Sequence, residues 1–317
     1  MISPKPQRSD GLWAITAYFN PLRYRRRLSN FRVFREHLNL PLLAVELTYG
    51  SDHELQEQDA DILVRMHGGA LLWQKERLLN LALAALPNDC RKVAWLDCDI
   101  VFGAADWAEH ANRLLDRFAI IQLFKNVHNL SPNWTSLGDY RTHIEFTRPS
   151  AAFSISSGQP AATSIGHSLE SREGTSANGF AWAARRDLLD QHGFYDACIL
   201  GGGDRAMNCA ANRCFDELFK RHYMNQRQQD RFVTWAEPFF EAVRGEVGYL
   251  ESDILHLWHG KVCDRGTRSR HEGLQKYQFD PFIDIAQDAN GCWRWNSPKR
   301  EMHDYVRRYF SSRREDG

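Results

Sequence analysis

Two acidic residues, Asp97 and Asp99, directly follow an apolar run in the stretch VAWLDCDIVF. Two carboxylates this close repel each other, so a buried pair needs a cation or a raised pKa. A hard divalent ion that also binds nucleotide phosphate meets this need, and we interpret the pair as a metal motif. The alternative is a pair of acids that cap a turn. A second such triplet, Asp59 to Asp61, lies in the polar stretch ELQEQDADI, where we expect a solvated loop.

Two histidines, His256 and His259, follow a late apolar run within the stretch HLWHGK. Neutral imidazole is a good ligand for Mn²⁺ or Zn²⁺. Residues three apart point to opposite faces of a straight strand, so both can share one ion only if the chain turns near Trp258. Gly260 suits such a turn. The pattern is not HExxH, which argues against a zinc protease. The alternative is two ordinary histidines among the 13 in the chain.

Three glycines at 201–203 precede Asp204 and a helical pattern. Gly202 and Gly203 can let the backbone approach a ligand closely, because glycine has no Cβ. Asp204 is then a candidate general base at the floor of an acceptor site. The alternative is a simple helix N-cap, a common place for aspartate.

Further polar residues stand upstream of the acid pair. Lys75 and Asn80 lie on the polar face of the strongest predicted helix. Taken alone, they indicate only a solvated helix surface. Arg23 follows Asn20 and Pro21, and it either binds phosphate or is exposed.

Composition excludes several functional classes. The chain has 317 residues, 43% of them hydrophobic, with 40 basic and 40 acidic residues. A net charge of zero argues against binding to nucleic acid or an anionic membrane surface. The seven cysteines contain no CxxC pair, so neither a zinc ribbon nor a dithiol site is indicated. With a polar N-terminus and no apolar run of membrane length, the sequence predicts a cytoplasmic protein without a signal peptide or transmembrane segment.

The elements that position these residues alternate between strand and helix patterns. Strands are predicted over 12–19, 41–48, 62–66, 93–102, 119–124 and 248–257. Helices are predicted over 25–38, 71–86, 107–118, 186–192 and 204–222, with Asp106 as a cap of the third. This alternation predicts an α/β fold with a mostly parallel central sheet and helices on both faces. The carboxyl edge of such a sheet is where ligands bind, and the acid pair lies there.

The segment 126–176 is different in character. Serine, threonine, glycine and proline accumulate in it, and no periodicity is visible. We expect a segment without regular structure that acts as a mobile lid or acceptor loop. The chain then reads as one domain, 1–317, with a nucleotide-sugar half at about 12–125, a flexible region at about 126–177 and an acceptor and metal-completing half at about 178–300.

The order of these motifs resembles the GT-A class of glycosyltransferases, especially the β-1,4-galactosyltransferase family and bacterial family 2-like enzymes. A first strand ending in FNP is followed by KERLLN, LDCDIVF, NGFAWAARRDLLDQHGFYD, GGGD and HLWHG. The resemblance covers about residues 12–270. It implies a GT-A (Rossmann-like) fold with a C-terminal acceptor-binding portion.

The resemblance also implies roles for individual residues. The metal ligands would be Asp97, Asp99, His256 and His259. The nucleotide-sugar contacts would be Phe19, Asn20, Pro21, Arg23, Lys75, Asn80, Asp97 and Lys261. Arg23 and Asn80 are included because of their positions in the sequence. The sugar and acceptor pocket would contain Asn178, Gly179, Trp182, Gly202 and Gly203. Asp204 would be the base, although the animal enzymes carry a tryptophan and an acidic cluster where this chain has Leu200 and a single acid before Arg205.

The expected activity is a metal-dependent, inverting transfer of a hexose or N-acetylhexosamine, as in polysaccharide biosynthesis. The donor is a nucleotide-sugar, with a UDP-sugar favoured by the resemblance, and the acceptor is a hydroxyl of a glycan or glycoconjugate. Mn²⁺ or Mg²⁺ is the implied cofactor, because it neutralises the departing diphosphate. Two alternatives stay open. One is a degenerate nucleotide- or sugar-binding protein, and the other is a metal-dependent nucleotidyltransferase, which would not need the histidine pair.

Overall fold

The computed structural model describes residues 11–134, 137–166 and 176–317. The described strands are β1 (Leu12–Phe19), β2 (Leu42–Thr48), β3 (Ile62–His67), β4 (Lys92–Leu96), β5 (Ile100–Phe102), β6 (Ile120–Gln122), β7 (Asn126–Leu130), β8 (Ile144–Pro149), β9 (Ala181–Arg185), β10 (Val247–Tyr249), β11 (Asp253–His256), β12 (Ile285–Gln287) and β13 (Trp293–Trp295). The N-terminal residues 1–10 and residues 167–175 of the predicted lid lie outside the described part of the chain.

The described α-helices alternate with these strands in the N-terminal half and cluster together in the C-terminal half. They are α1 (Arg25–His37), α2 (Lys75–Ala85), α3 (Trp107–Arg117), α4 (Ala151–Ser156), α5 (Ala161–Gly166), α6 (Arg186–His192), α7 (Gly203–Ala211), α8 (Phe215–His222), α9 (Gln226–Val243), α10 (Ser269–Gln275) and α11 (Arg300–Ser312). None of these described helices has the length and apolar character that crossing a bilayer requires.

A seven-stranded sheet organises the fold, with the order β10-β6-β9-β4-β1-β2-β3. Strands β1, β2, β3 and β4 pair in parallel, as do β6 and β10. Strand β9 runs antiparallel to both β4 and β6. The predicted mostly parallel α/β sheet is confirmed. The sequence pattern predicted neither strand β9 nor its reversed direction.

Helices cover both faces of this sheet, as predicted. Successive residues of β1 point to opposite faces. Ile15 and Phe19 pack in a core with α2, α6, α7 and α9, whereas Ala14 and Tyr18 pack in a second core with α1 and α3. The strand is buried on both sides, which explains its near-continuous apolar sequence.

A second sheet, with the order β5-β11-β7-β8, completes the ligand-binding edge. The late strand predicted over 248–257 is in fact two strands, because the chain bends at Glu251 and Ser252 and passes from the first sheet into the second. Strand β11 pairs with β5 so that His256 lies opposite Ile100. This register places His256 beside Asp99, the residue that precedes Ile100.

The prediction that 126–176 lacks regular structure is wrong for its described residues. Strands β7 and β8 form an antiparallel pair, and α4 and α5 follow. Helix α4 begins at a side-chain cap, since Ser150 Oγ accepts a hydrogen bond from the Phe153 amide. Ala151 and Ala152 are buried. Small residues pack closely here, so composition alone gave a misleading signal, and movement of this region stays a prediction.

Two smaller expectations are corrected as well. The helix predicted over 204–222 is broken into α7 and α8, because Arg213 adopts a positive φ of 53° between them. Asp106 precedes α3, but its side chain makes no capping hydrogen bond; its carbonyl oxygen accepts from the His110 amide instead.

Candidate active site

A single cavity lies where the carboxyl ends of β1 and β4 meet the end of β11. The first turns of α2 and α7 and the segment before β9 complete its wall. Because β9 is antiparallel, its beginning reaches the same edge at which β4 ends. The predicted site residues that the structure brings together in this cavity are Phe19, Lys75, Asp97, Asp99, Asn178, Gly179, Gly202, Asp204, His256 and His259.

Three of the predicted metal ligands converge at one point. Asp99 Oδ2 lies 3.1 Å from His259 Nε2, and Asp99 Oδ1 lies 3.8 Å from His256 Nε2. The two Nε2 atoms are 3.2 Å apart. The chain leaves the strand after His256, so the predicted turn that lets both histidines face one point is present.

Hydrogen bonding and burial prepare both imidazoles to act as ligands. Burial, and then the charge of Arg265, lowers the pKa of both His256 and His259 well below the ordinary value, so both are neutral at pH 7. His256 Nδ1 lies 2.9 Å from Asn129 Oδ1. If Nδ1 carries the proton and donates it to this amide oxygen, the lone pair of Nε2 points at the cluster. Asn129 is thus an orienting residue that the sequence did not reveal.

The residues present fit a divalent ion. Asp99 Oδ1 is buried and has no hydrogen-bond partner among the described residues. A transition-metal ion lies about 2.0–2.2 Å from imidazole nitrogen and carboxylate oxygen, which matches ligand atoms a little over 3 Å apart. Two imidazoles with one carboxylate favour Mn²⁺ over Mg²⁺, which prefers oxygen. Arg265 Nη2 lies 3.0 Å from His259 Nε2, and this contact competes with an ion for the same lone pair.

The second acid of the pair lies outside that cluster. Asp97 Oδ1 is 2.6 Å from Lys75 Nζ, and the same ammonium donates to both carboxylate oxygens of Asp204 at 2.9 and 3.1 Å. Burial lowers the pKa of Lys75, but the two aspartates outweigh this and raise it well above its ordinary value. Lys75, predicted as a nucleotide contact, therefore joins the acid pair to the candidate base.

Burial also raises the pKa of two site carboxylates, Asp99 and Asp204. Burial, and then the charge of Asp97, raises the pKa of Asp99. Burial raises the pKa of Asp204, and Lys75 opposes this shift. A carboxylate with a raised pKa is a better proton acceptor, which suits Asp204 to general-base chemistry. Asp204 is the second residue of α7 and not its N-cap, which is Gly202.

No protein-family model matches this sequence, and no curated protein matches it either. Several solved structures share parts of its architecture. Glucosyl-3-phosphoglycerate synthase from Mycobacterium tuberculosis, in complex with Mn²⁺, UDP-glucose and phosphoglyceric acid, is 13% identical over 92% of this chain and 91% of that chain, with a TM-score of 0.39. A mannosyltransferase from Pyrobaculum calidifontis, in complex with GDP-Man and Mn²⁺, is 13% identical over 76% and 75% of the two chains, with a TM-score of 0.34.

A further solved structure is similar to the same degree. 4-Diphosphocytidyl-2C-methyl-D-erythritol synthase from Anaerococcus prevotii is 9% identical over 77% of this chain and 88% of that chain, with a TM-score of 0.35. Likenesses this low do not assign an activity.

Six arginines line the cavity, and no sequence motif predicted them. They are Arg27, Arg148, Arg205, Arg265, Arg270 and Arg313. Arg27 and Arg313 both pair with the buried Glu315, at 2.8 and 2.5 Å. These residues come from distant parts of the chain and share no spacing, so only the folded structure could reveal them. They make the cavity suitable for anionic ligands.

Several predicted site residues lie elsewhere. Arg23 is exposed, and its guanidinium donates to the Asp52 carbonyl. Asn20 holds the turn before α1 by hydrogen bonds with both the amide and the carbonyl of Tyr24, and Pro21 lies beside it in a small adjoining hollow.

Three more predicted site residues, Asn80, Trp182 and Lys261, also lie outside the cavity. Asn80 ties α2 to Phe194 through the main-chain amide and carbonyl. Trp182 is fully buried and stacks on Trp95. Lys261 is exposed and lines a neighbouring hollow.

The glycines before Asp204 are required by protein packing, and this corrects the expectation that they admit a ligand. A Cβ on Gly203 would lie 2.2 Å from Glu76 Oε1, and one on Gly202 would lie 2.6 Å from His222 Cε1. Gly202 also has a φ of +98°, a conformation that side chains disfavour. A Cβ on Gly179 would lie 2.8 Å from Asp204 Oδ2, so this glycine lets the backbone approach the candidate base.

We expect Gly202→Ala to lower the free energy of unfolding by about 2–4 kcal/mol, because it adds backbone strain and a clash in a packed interior. Gly245→Ala is the matched control, since Gly245 also has a positive φ (+75°) but has open space around it. Strain alone should cost that variant about 1 kcal/mol. Urea unfolding measures both. Equal losses in the two variants would show that the contact with His222 is unimportant.

Proposed function

We propose that this protein is a metal-dependent glycosyltransferase of the GT-A class. It transfers a hexose or N-acetylhexosamine from a nucleotide-sugar, with UDP favoured by the motif order, to a hydroxyl of a glycan or glycoconjugate. The observation that carries the proposal is the convergence of Asp99, His256 and His259, with ligand atoms within 4.8 Å of one another, in the cavity that also contains Asp204.

The donor side of the cavity is suited to a sugar diphosphate. Asp99, His256 and His259 would hold Mn²⁺, or less favourably Mg²⁺, which supplies positive charge to the leaving diphosphate when bound. Arg265 lies against His259 and adds a guanidinium at the same place. Guanidinium groups bind phosphate oxygens with good geometry. Phe19 and Trp73, in an edge-to-face contact at 5.4 Å, provide aromatic surface in the same cavity.

Asp204 acts as the general base on the acceptor side. As the acceptor oxygen bonds to the anomeric carbon, the bond to the diphosphate breaks and the hydroxyl proton passes to Asp204. Attack from the side opposite the leaving group inverts the anomeric configuration. Lys75 holds the Asp204 carboxylate in place and is itself fixed by Asp97. Asp97 thus acts through Lys75, which explains an Asp-x-Asp motif with only one acid in the metal cluster.

A transfer screen tests this function against its alternatives. UDP-glucose, UDP-galactose and UDP-N-acetylglucosamine are incubated with Mn²⁺, the protein and a panel of sugars and sugar phosphates, and products are detected by mass spectrometry. The proposal predicts a product heavier by one sugar unit that disappears with EDTA. Release of pyrophosphate from a nucleoside triphosphate and a sugar phosphate would instead identify a nucleotidyltransferase. Nucleotide binding without any turnover would identify a binding protein.

A further inference from the structure

Among the described residues, one cation of the cavity is buried without a carboxylate to pair with. Arg148, on β8, is only 6% exposed and lines the cavity wall. Its Nε has no hydrogen-bond partner among the described residues, and no described carboxylate lies within ion-pair distance of it. The guanidinium instead contacts two rings, with Cζ 5.7 Å from the centroids of both Phe146 and Phe180.

This environment is costly for a charge. Burial, and then the charges of Arg265 and Arg205, lowers the pKa of Arg148 to about 9. A buried ion is normally paired, and an unpaired one destabilises the folded state. Groups with strongly shifted pKa values cluster at functional sites, where a ligand can supply the missing charge.

The donor does not account for this positive charge. Lys75 is matched by Asp97 and Asp204, while Arg27 and Arg313 are matched by Glu315. The charge of a sugar diphosphate is offset by that of the divalent ion at Asp99. Among the described residues, Arg148 therefore keeps an unmatched positive charge after the donor and its ion are bound.

We infer that the acceptor carries an oxyanion group, a phosphate or a carboxylate, that binds Arg148. That the bound molecule is the acceptor rests on the proposed function, whereas the oxyanion site itself rests on Arg148. A planar guanidinium offers paired N–H donors to either group, and the two rings hold its plane in position. The substrate class is thus an acidic or phosphorylated glycan or glycoconjugate.

Two oxyanion probes test the site. Sulfate, which mimics phosphate without precipitating Mn²⁺, and acetate are each titrated calorimetrically into the protein saturated with Mn²⁺ and UDP. We expect at least one of them to bind, and the tighter of the two indicates whether phosphate or carboxylate is the natural group. In Arg148→Met we expect binding to weaken by about tenfold or more, as for loss of a charge-assisted hydrogen bond. The affinity for UDP should change by less than about twofold, because the proposed function assigns the diphosphate to the ion at Asp99 and to Arg265.

Two further variants keep the result interpretable. Arg117 also stacks on a ring, that of Phe118, but lies outside this cavity. Arg117→Met should therefore leave both titrations unchanged. Arg148→Lys keeps the charge and loses the planar fork, so intermediate binding is expected. Arg148→Met should melt at or above the wild-type Tm, because methionine packs well between rings.

Two results would overturn the inference. The first is that neither probe binds wild type more tightly than Arg148→Met. The second is that Arg148→Met weakens UDP binding by about tenfold, which would assign Arg148 to the donor diphosphate. If UDP does not bind wild type at all, the proposed function fails separately. Sulfate and acetate titrations without UDP then decide the oxyanion site by the same comparison.

Discussion

Asp99→Asn is expected to raise the dissociation constant for Mn²⁺ by about 100-fold or more. The carboxylate lies against both histidine Nε2 atoms, and one of its oxygens has no other partner among the described residues. Asparagine keeps the shape but removes the negative charge, and changes to residues that merely support a metal ligand typically cost about 10–100-fold in metal affinity. Titration of Mn²⁺ followed by electron paramagnetic resonance measures free and bound ion directly.

Asp61→Asn is the matched control for that experiment. Asp61 belongs to the other Asp-x-Asp triplet and pairs with Arg35 on the surface. It should leave Mn²⁺ binding unchanged. The thermal stability of Asp99→Asn should be equal to or higher than wild type, since a buried carboxylate is replaced by a neutral group. Unaltered Mn²⁺ affinity in Asp99→Asn would remove Asp99 from the metal site.

Asp204→Asn is expected to lower turnover by about 10²–10⁴-fold while Mn²⁺ and UDP still bind. An amide cannot accept the acceptor proton, and general-base catalysis is typically worth a factor of this size. The substituted amide would keep one oxygen toward Lys75, and Asp97 continues to hold that ammonium at 2.6 Å. The measurement is kcat for UDP release with the acceptor identified by the transfer screen, together with the affinity for UDP.

Asp196→Asn separates loss of the base from loss of a buried ion pair. Asp196 is also half-buried beside a cation, with Oδ2 3.1 Å from Arg77 Nη1, but it does not line the cavity. We expect this variant to lose stability and to keep its turnover at temperatures where it is folded. Turnover at the wild-type rate in Asp204→Asn would show that another group accepts the proton.

The framework of the fold was predictable because its signals are strong and local. Strand β1 is a continuous apolar run that ends before Asn20-Pro21, and its predicted bounds agree with the structure. Helices α1 and α3 end within a residue of the prediction. The direction of β9 was not predictable from pattern alone, since it depends on how the preceding segment packs. Strands β7 and β8 were missed because polar residues interrupt their apolar positions.

The candidate site was predictable only in part, for a related reason. Asp99, His256 and His259 belong to short motifs in a recognisable order, and the register of β11 against β5 brings them together. Arg148 and Arg265 belong to no motif, and their burial beside the cavity follows from tertiary packing. The link from Asp97 through Lys75 to Asp204 also joins residues far apart in sequence, so the separate roles of the two acids in the motif emerge only from the structure.

The most direct test of the central claim is calorimetric titration of UDP, GDP and CMP into the folded protein, with and without Mn²⁺. The account predicts that UDP binds, that binding requires Mn²⁺, and that GDP and CMP bind more weakly. Such a result would establish a metal-dependent donor site in the cavity and justify the search for donor sugar and acceptor. Absence of binding by all of these nucleotides, with Mn²⁺ present and the protein folded, would contradict the account.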